Sequence, residues 1–331
     1  MQRSGTRVLT RGDVANLLTL DDSIAAVERA FARSARGEAL PSGVLGVPAH
    51  GGGFHIKAAG LRLDRLYVAV KVNANFPANP ERRGLPTIQG VVVLSDGESG
   101  APLALIDSIE ITALRTAAAT AVAAKYLARP DAAVVTVCGC GAQGAYQLRA
   151  LARVRPLRRA WAVDADGARA AAFARELTAT LGLPVEATGD LPRALHGSDM
   201  VVACTPARTP YVRRADLAPG TFLAAVGADS HDKQELHPDV FVGSTVVVDS
   251  LEQCATIGDL HHALVAGVVT RDDVHADLAE VVAGAKAGRT REDEIVVFDS
   301  TGIALEDVAA AAVVYEKAVQ LGAGTVVDLS S

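Results

Sequence analysis

The stretch from Val134 to Asp164 constrains this chain most, because it has the pattern of a strand, a glycine turn, a helix and a second strand. Val134–Val137 contains only β-branched residues, which favours a buried parallel strand. The next residues fit G-x-G-x-x-G between Gly139 and Gly144, and Asp164 stands 20 residues beyond the last glycine. This order is typical of a dinucleotide site, in which the acid binds a ribose hydroxyl.

Each position in the turn has a physical role. Glycine permits the tight turn at 139, the close approach of a pyrophosphate at 141 and the packing of helix on strand at 144, while the helix N-terminus offers free N–H groups to phosphates. The predicted cofactor contacts are Gly139, Gly141, Ala142, Gln143, Gly144 and Asp164. The carboxylate of Asp164 would repel a 2′-phosphate, so the pattern favours NAD, with NADP possible. The alternative is an ordinary glycine turn, which the flanking strand, helix and acid disfavour.

Composition and charge exclude several classes of protein. The 331 residues predict one or two domains, and a net charge of −6 without a basic tract gives no sign of nucleic-acid binding. The four cysteines follow no zinc spacing, which indicates reduced thiols. Arg3, Arg7 and Arg11 precede no apolar core of a signal peptide, and no apolar run is long enough to span a membrane. The sequence therefore predicts a soluble cytoplasmic protein.

The first part of the chain predicts an α+β domain with an antiparallel sheet. A short extended start leads to a helix capped by Asp21, Asp22 and Ser23, and a two-residue alternation runs from Phe54 to about Ile106. Within it, Asn75–Gly84 has the composition of an exposed loop. The strand that ends at Leu94 is predicted to form a hairpin with 102–106.

The second part predicts a parallel sheet wrapped by helices. A long Ala-rich helix from Ile109 to about Ala128 ends at Arg129-Pro130, near which we place the domain boundary. Helix and strand patterns then alternate to the end of the domain. The predicted domains are 1–129 with the C-terminal helix 304–331, and 130–303.

Two basic residues are candidates for binding an anion. Lys71 shares a strand face with Tyr67 and Ala69, and its alternative role is a lysine on the solvated side of a one-sided sheet. Arg115 lies in an Ala-rich helix without a local acid, so it either reaches solvent or binds an anion from outside the helix. Together the two could hold a carboxylate, with the guanidinium as a bidentate donor.

Two polar residues follow predicted parallel strands, where open α/β sheets place ligands and catalytic groups. Asp229 could exchange a proton with an amine or water, and its alternative role is a helix cap. Thr205 could lie along the nicotinamide half of a cofactor. His231, Asp232 and the pair at 261–262 match no known metal-ligand set, so no metal is predicted.

Several of these residues lie in longer segments that resemble the ornithine cyclodeaminase/μ-crystallin family, and the resemblance covers nearly the full length. The segments are Lys71–Asn73, Asp107–Ala118, Gly139–Gly144, Val226–Asp229 and Ser300–Ala304. The resemblance implies a Rossmann-type doubly wound parallel sheet, a substrate-binding and dimerisation domain to which the C-terminal helix returns, and a homodimer. It also implies that Lys71 and Arg115 bind the substrate carboxylate and that Asp229 assists proton transfer, and it adds Thr116 and Val226 to the cofactor contacts.

The chain departs from the family pattern in its first sheet. The arginine that members commonly carry after the first helix is absent from Leu40–Leu45, and the usual Met-Pro-Ala is Lys57-Ala58-Ala59. By approximate alignment, His55 stands near the acid with which ornithine cyclodeaminases bind the substrate amine, so ornithine is disfavoured. Lys57 either replaces the missing arginine, receives a second acidic group of the substrate, or lies at a strand edge without a role.

The resemblance implies an NAD-dependent reductase of a small α-imino acid, or the reverse amino-acid dehydrogenase. Arg115, Lys71 and Lys57 would hold the carboxylate, and Asp229 and Lys71 are the predicted catalytic residues. One alternative is a redox-neutral lyase that recycles bound NAD, either a cyclodeaminase or a dehydratase of a hydroxylated amino acid. Another is a μ-crystallin-like binding protein. The side chain of the substrate and the physiological direction stay open.

Overall fold

A computed structural model describes residues 5–329 of the chain. Arg3 and the last two residues of the predicted C-terminal segment, 330–331, lie outside the described residues.

The described residues contain fifteen strands. They are β1 (Thr6–Leu9), β2 (Ala39–Ala49), β3 (Gly52–Arg62), β4 (Leu66–Asn75), β5 (Ile88–Asp96), β6 (Pro102–Asp107), β7 (Val134–Cys138), β8 (Arg159–Val163), β9 (Val185–Ala187), β10 (Met200–Ala203), β11 (Phe222–Ala225), β12 (Thr245–Val248), β13 (Val274–Asp277), β14 (Val296–Asp299) and β15 (Thr325–Val327).

The described helices include two long Ala-rich ones, α4 and α11. The helices are α1 (Arg11–Leu17), α2 (Leu20–Ser34), α3 (Asn79–Arg83), α4 (Ser108–Leu127), α5 (Ala142–Val154), α6 (Gly167–Leu181), α7 (Leu191–His196), α8 (Leu251–Ile257), α9 (Asp259–Val265), α10 (Leu278–Val282) and α11 (Ala304–Leu321).

The chain forms two compact units. One holds the chain as far as Arg115 and again from Ile303 onward, and the other is Thr116–Gly302. The bounds that the sequence predicts for the domains remain a prediction.

The first unit is built on a seven-stranded sheet in the order β15-β1-β6-β5-β4-β3-β2. The strands from β2 to β6 pair antiparallel, as the sequence predicts, and the predicted hairpin joins β5 to β6. The pairing of β1 with β6 is parallel, so the sheet is mixed rather than antiparallel throughout. The difference comes from β1. Its partner β6 lies far from it in the sequence, so no local pattern predicts this pairing.

One face of this sheet is covered by the C-terminal helix. Helix α11 packs against β3, β4 and α2. In β4 the buried side chains are Tyr67, Ala69, Lys71 and Asn73, while the valines between them are only partly buried. The alternative role of Lys71 as a lysine on the solvated side of the sheet is therefore wrong: the chain buries the face that carries it.

The second unit is built on an eight-stranded parallel sheet in the order β13-β12-β14-β11-β10-β7-β8-β9. After β9 the chain crosses over β7 and continues with β10 on its other side, so the turns after β7 and β10 lie at a topological switch point. The predicted α/β class with a doubly wound sheet is confirmed. The sequence analysis did not predict β13 and β14.

Three local predictions need correction. The first long helix begins at Leu20 and is capped by Thr19 in a capping box with Asp22, rather than by Asp21, Asp22 and Ser23, and α1 precedes it. The predicted loop 75–84 contains the short helix α3. The C-terminal segment is helical only to Leu321, after which Gly322 ends α11 and β15 follows. Across residues 5–329, the structure contains no helix that combines the length and the apolar composition needed to cross a membrane.

Candidate active site

The strand register places two lysines opposite each other in the first unit. Lys57 on β3 pairs with Lys71 on β4, and both side chains are buried. Directly opposite residues of an antiparallel pair lie on the same face, so two positive charges meet beneath α11. Like charges in this arrangement repel each other and favour negative charge beside them.

Helix α11 supplies that negative charge through Glu306 and Asp307 in its first turn. Lys71 Nζ lies 2.9 Å and 2.7 Å from the two carboxylate oxygens of Asp307. Arg115 donates from Nε to Asp307 Oδ1 at 3.1 Å and from Nη1 to Glu306 Oε2 at 2.8 Å. Arg115, Glu306 and Asp307 are all at least 95% buried. The predicted pair of cations is thus part of a buried network of five charged side chains, which we call the cation cluster: Lys57, Lys71, Arg115, Glu306 and Asp307.

The cation cluster concentrates three cations and two carboxylates in a buried position. Burial lowers the pKa of Lys71 to about 7, and Arg115 and Lys57 add to this effect although Asp307 opposes it. Burial opposes ionisation of Asp307, but Lys71 and Arg115 outweigh it and hold the pKa of that carboxyl below its usual range. Three buried cations close together suit the binding of a small carboxylate.

The lowered pKa of Lys71 leads to a pH dependence. We expect the KM of a carboxylate substrate to rise as the pH increases above about 7, because Lys71 then loses its charge. Steady-state kinetics between pH 6 and 9 would measure this. Lys71→Arg stays charged over that range, so its KM profile should be flat; a wild-type profile equally flat would contradict the assignment.

The free energy of unfolding should rise between pH 7 and 10.5, because the unfolded chain binds the proton that the folded chain has released.

The glycine turn of the second unit follows β7. Gly139 has a φ of +107°, and a Cβ there would lie 2.9 Å from the carbonyl oxygen of Cys204. A Cβ on Gly144 would lie 2.1 Å from the carbonyl oxygen of Gly139, so α5 approaches the turn as closely as a glycine allows. A Cβ on Gly141 would meet open space. The turn therefore leaves room beside Gly141 at the N-terminus of α5, where a pyrophosphate could approach the backbone.

Two polar side chains adjoin this turn. Asp164 Oδ2 accepts from the backbone N–H of Cys140 at 2.9 Å and Oδ1 accepts from that of Asp166 at 2.9 Å. Arg169 Nη1 lies 3.7 Å from Asp164 Oδ1. Within residues 5–329, the buried Nε2 of Gln143 has no hydrogen-bond partner, which leaves a donor for a bound group at the start of α5. The acid at the end of β8, the open side of Gly141 and this donor fit a dinucleotide; the roles predicted for these residues stay predictions.

The other three cofactor candidates also lie in the second unit. Thr205 follows β10, and its Oγ1 donates to Glu235 Oε1 at 2.7 Å. Val226 follows β11 directly, and its N–H donates to the carbonyl oxygen of Ala203 at 2.9 Å. Thr116 is half-buried within α4. The structure brings Thr205 next to Gly139, since a Cβ on that glycine would lie 3.1 Å from Thr205 Cγ2.

Asp229 lies four residues beyond β11, at the carboxyl edge of the parallel sheet. Its side chain is 51% exposed, and its Oδ1 accepts from Lys233 Nζ at 2.6 Å. No helix begins at this position, so the alternative role as a helix cap is wrong. An exposed carboxylate beside a lysine remains available to a substrate.

His55 lies on β3 opposite Asn73, on the strand face that carries Lys57 and Lys71, and it is exposed. His261 donates from Nδ1 to the carbonyl oxygen of Ala255, and His262 donates from Nε2 to that of Lys233. The part of the chain that the structure describes contains no group of three or more His, Cys, Asp or Glu residues that could hold a metal ion.

The sequence analysis missed three buried acids: Glu235, Glu306 and Asp307. The last two stand in the first turn of α11, directly before the apolar run Val308–Val314, which is a signal for a buried charge with a partner. Glu235 gave no such signal, because its segment between β11 and β12 has an ordinary polar composition.

Comparison with known proteins establishes the family. The model of the ornithine cyclodeaminase/μ-crystallin family matches residues 5–322. The chain belongs to this family. Its predicted membership is thus confirmed, and the five segments that carried the resemblance lie within the matched range.

Solved structures of three family relatives are similar over nearly the whole chain. An archaeal alanine dehydrogenase, a dimer with bound NAD, has a TM-score of 0.93 at 37% identity and covers 98% of this chain and 99% of its own. The Δ1-pyrroline-2-carboxylate reductase of Thermococcus litoralis, in complex with NADH and L-proline, has a TM-score of 0.92 at 36% identity. The match covers 97% of this chain and 100% of the reductase chain. A lysine cyclodeaminase that recognises L-lysine, L-ornithine and L-2,4-diaminobutyric acid has a TM-score of 0.85 at 33% identity and covers 98% and 96%.

Proposed function

We propose that this protein is an NAD-dependent oxidoreductase that acts on the C–N bond of a small α-imino or α-amino acid. The observation that carries the proposal is the cation cluster, which brings Arg115 and Lys71 together beside Lys57 at a buried position that suits a carboxylate. The glycine turn with Asp164 supports a dinucleotide cofactor in the second unit. The dehydrogenase and reductase relatives with bound NAD or NADH support the same reading.

The cation cluster would bind and orient the substrate carboxylate. Arg115 offers a planar guanidinium and Lys71 and Lys57 two ammonium groups, while Glu306 and Asp307 fix Arg115 and Lys71. Holding the carboxylate fixes the imine carbon next to it, which lowers the entropic part of the barrier. We assign Lys57 to the α-carboxylate rather than to a second acidic group, because the strand register places it directly opposite Lys71.

Reduction of the imine adds a hydride to carbon and a proton to nitrogen, and the nicotinamide, when bound, supplies the hydride. Asp229 would hold the positive charge of the iminium and move the proton. Gln143, the turn glycines and Asp164 would hold the dinucleotide, with Thr116, Thr205 and Val226 beside it. The carboxylate of Asp164 opposes a 2′-phosphate, so we expect NADH to be preferred over NADPH.

The purified protein should oxidise NADH in the presence of one or more imines. The panel is pyrroline-2-carboxylate, piperideine-2-carboxylate, and pyruvate or oxaloacetate with ammonia or methylamine. Rapid loss of absorbance at the NADH band with a monocarboxylic member is the expected result. Activity confined to the oxaloacetate-derived imine would reassign Lys57 to a second carboxylate. Silence with both NADH and NADPH across the panel would overturn the proposal.

A redox-neutral lyase is the second candidate, and the likeness to a lysine cyclodeaminase favours it. Such an enzyme would release ammonia from a diamino or hydroxylated amino acid without a net change at the NADH band. The basic His55 beside the lysines disfavours a second amine on the substrate. A μ-crystallin-like binding protein would show neither activity.

We also propose that two copies associate through the open face of the first unit's sheet, opposite α11. Strand register puts a set of exposed apolar side chains on that face: Leu45, Val47, Phe54, Val91 and Leu105. Five neighbouring apolar residues on one sheet face are typical of an interaction surface. The archaeal alanine dehydrogenase was solved as a dimer, which supports a homodimer here.

Val91→Lys should dissociate this dimer, because a buried lysine without a partner opposes association. Light scattering after size exclusion should give twice the chain mass of 34.1 kDa for the wild type and the mass of one chain for the variant. Val326→Lys, at an exposed position on β15, is the matched control and should remain dimeric. A dimeric Val91→Lys would place the interface elsewhere.

A further inference from the structure

We propose that Glu235 is a positioning residue for the nicotinamide half of the cofactor, because its buried carboxylate ties together the turns that follow β10 and β11. Oε1 accepts from Thr205 N at 2.6 Å, from Thr205 Oγ1 at 2.7 Å and from Tyr211 Oη at 2.7 Å. Oε2 accepts from Gly227 N at 2.9 Å. This inference rests on the proposed function, since it concerns how the same dinucleotide is held.

The two turns that Glu235 joins contain the candidate groups of this edge. Thr205 is itself a cofactor candidate, and Gly227 lies between Val226 and Asp229. In an open parallel sheet, a dinucleotide lies across the carboxyl ends of the strands. The glycine turn after β7 and Asp164 after β8 would hold one half of the dinucleotide. The nicotinamide half would then extend toward β10 and β11, whose turns Glu235 joins.

The packing around Glu235 leaves little freedom to either turn. A Cβ on Gly227 would lie 2.3 Å from Glu235 Oε2 and 2.3 Å from the carbonyl oxygen of Thr205. The side chain of Glu235 is fully buried, so water cannot replace the carboxylate as acceptor. The position of Gly227 therefore depends on this side chain, and Asp229 follows two residues later.

Two further buried acids hold Glu235 in place. Asp259 Oδ1 accepts from the N–H groups of Glu235 and Leu236, both at 2.8 Å. Asp299 accepts from the backbone N–H groups of Asp259 and Leu260. The strand ends are thus linked in series by carboxylates that bind backbone donors. Among these three acids, Glu235 is the one whose carboxylate oxygens accept hydrogen bonds from the turns that contain the cofactor candidates.

The test is Glu235→Gln, which keeps the size of the side chain and leaves one oxygen to accept from Thr205. Its amide nitrogen would face the N–H of Gly227, so two donors would meet and that turn should shift. We expect the affinity for NADH, measured by fluorescence titration, to fall about tenfold and kcat to fall by a similar factor. The substrate KM should change less than twofold, because the cation cluster is intact.

Glu294→Gln is the matched control. Glu294 is also buried and accepts from Thr290 N, Arg291 N and Thr245 Oγ1, but it precedes β14 at the amino edge of the sheet. Its glutamine variant should lose stability and keep its affinity for NADH within twofold. If Glu235→Gln does not fold, Tyr211→Phe removes one donor to the same carboxylate and should weaken NADH binding about threefold.

Equal NADH affinities in Glu235→Gln and Glu294→Gln would overturn the inference, whether both are weakened or neither is. If the wild type binds no NADH, the proposed function fails, and amide hydrogen exchange then decides on Glu235. Faster exchange in Glu235→Gln confined to peptides with Thr205 and Gly227 would support its hold on both turns. Unchanged exchange there would show that it holds neither.

Discussion

Asp229→Asn should bind NADH like the wild type and lose a factor of about 10² to 10⁴ in kcat, the range that a general acid or base contributes. Asparagine keeps the shape of the side chain but cannot take up or release a proton, and it stabilises the charge of an iminium less well. The exposed pair with Lys233 contributes little to stability, so the variant should fold normally. Fluorescence titration with NADH and steady-state kinetics with the best imine would measure both quantities.

Lys233→Met tests whether the loss of kcat in Asp229→Asn comes from the lost proton transfer or from the lost ion pair with Lys233. This variant removes the partner of Asp229 and keeps the carboxylate, so we expect a change in kcat of less than tenfold. A Lys233→Met enzyme as slow as Asp229→Asn would assign the effect to the geometry of the loop. Full activity of Asp229→Asn would remove Asp229 from the mechanism.

Arg115→Met should combine a large loss of stability with a large loss of substrate affinity. Its guanidinium is the partner of Glu306 and shares Asp307 with Lys71, so its removal breaks two buried ion pairs. Breaking a buried ion pair in this way costs about 3–5 kcal/mol. We expect a free energy of unfolding lower by that amount in urea titration, and a kcat/KM lower by about 10² or more because the bidentate donor to the carboxylate is lost.

The double variant Arg115→Met/Glu306→Gln distinguishes the two losses. Neutralising Glu306 should restore part of the stability, since the uncompensated charge disappears, and should leave kcat/KM as low as in Arg115→Met. Glu306→Gln by itself is the matched control for folding. Recovery of both quantities together would mean that Arg115 stabilises the fold without binding substrate.

The sequence by itself determined the elements whose signals are local. Helix α4, predicted from Ile109 to about Ala128, runs from Ser108 to Leu127, because its composition and its stop at Arg129-Pro130 lie within one segment. The glycine turn was recognised for the same reason, since its strand, helix and acid follow within one short stretch of chain. The parallel sheet follows from the repeated alternation of strand and helix.

Only the tertiary structure decided which side of β4 is buried. Alternation shows that Tyr67, Ala69 and Lys71 share a face, but it does not show which face a helix covers. Helix α11 returns from the far end of the chain, covers that face and brings Glu306 and Asp307 to Lys71 and Arg115. The same reason hid Glu235, whose donors at Thr205 and Gly227 belong to turns that adjoin only in the folded sheet. A buried charge is stable only beside its partner, and the distance between partners along the sequence is not limited.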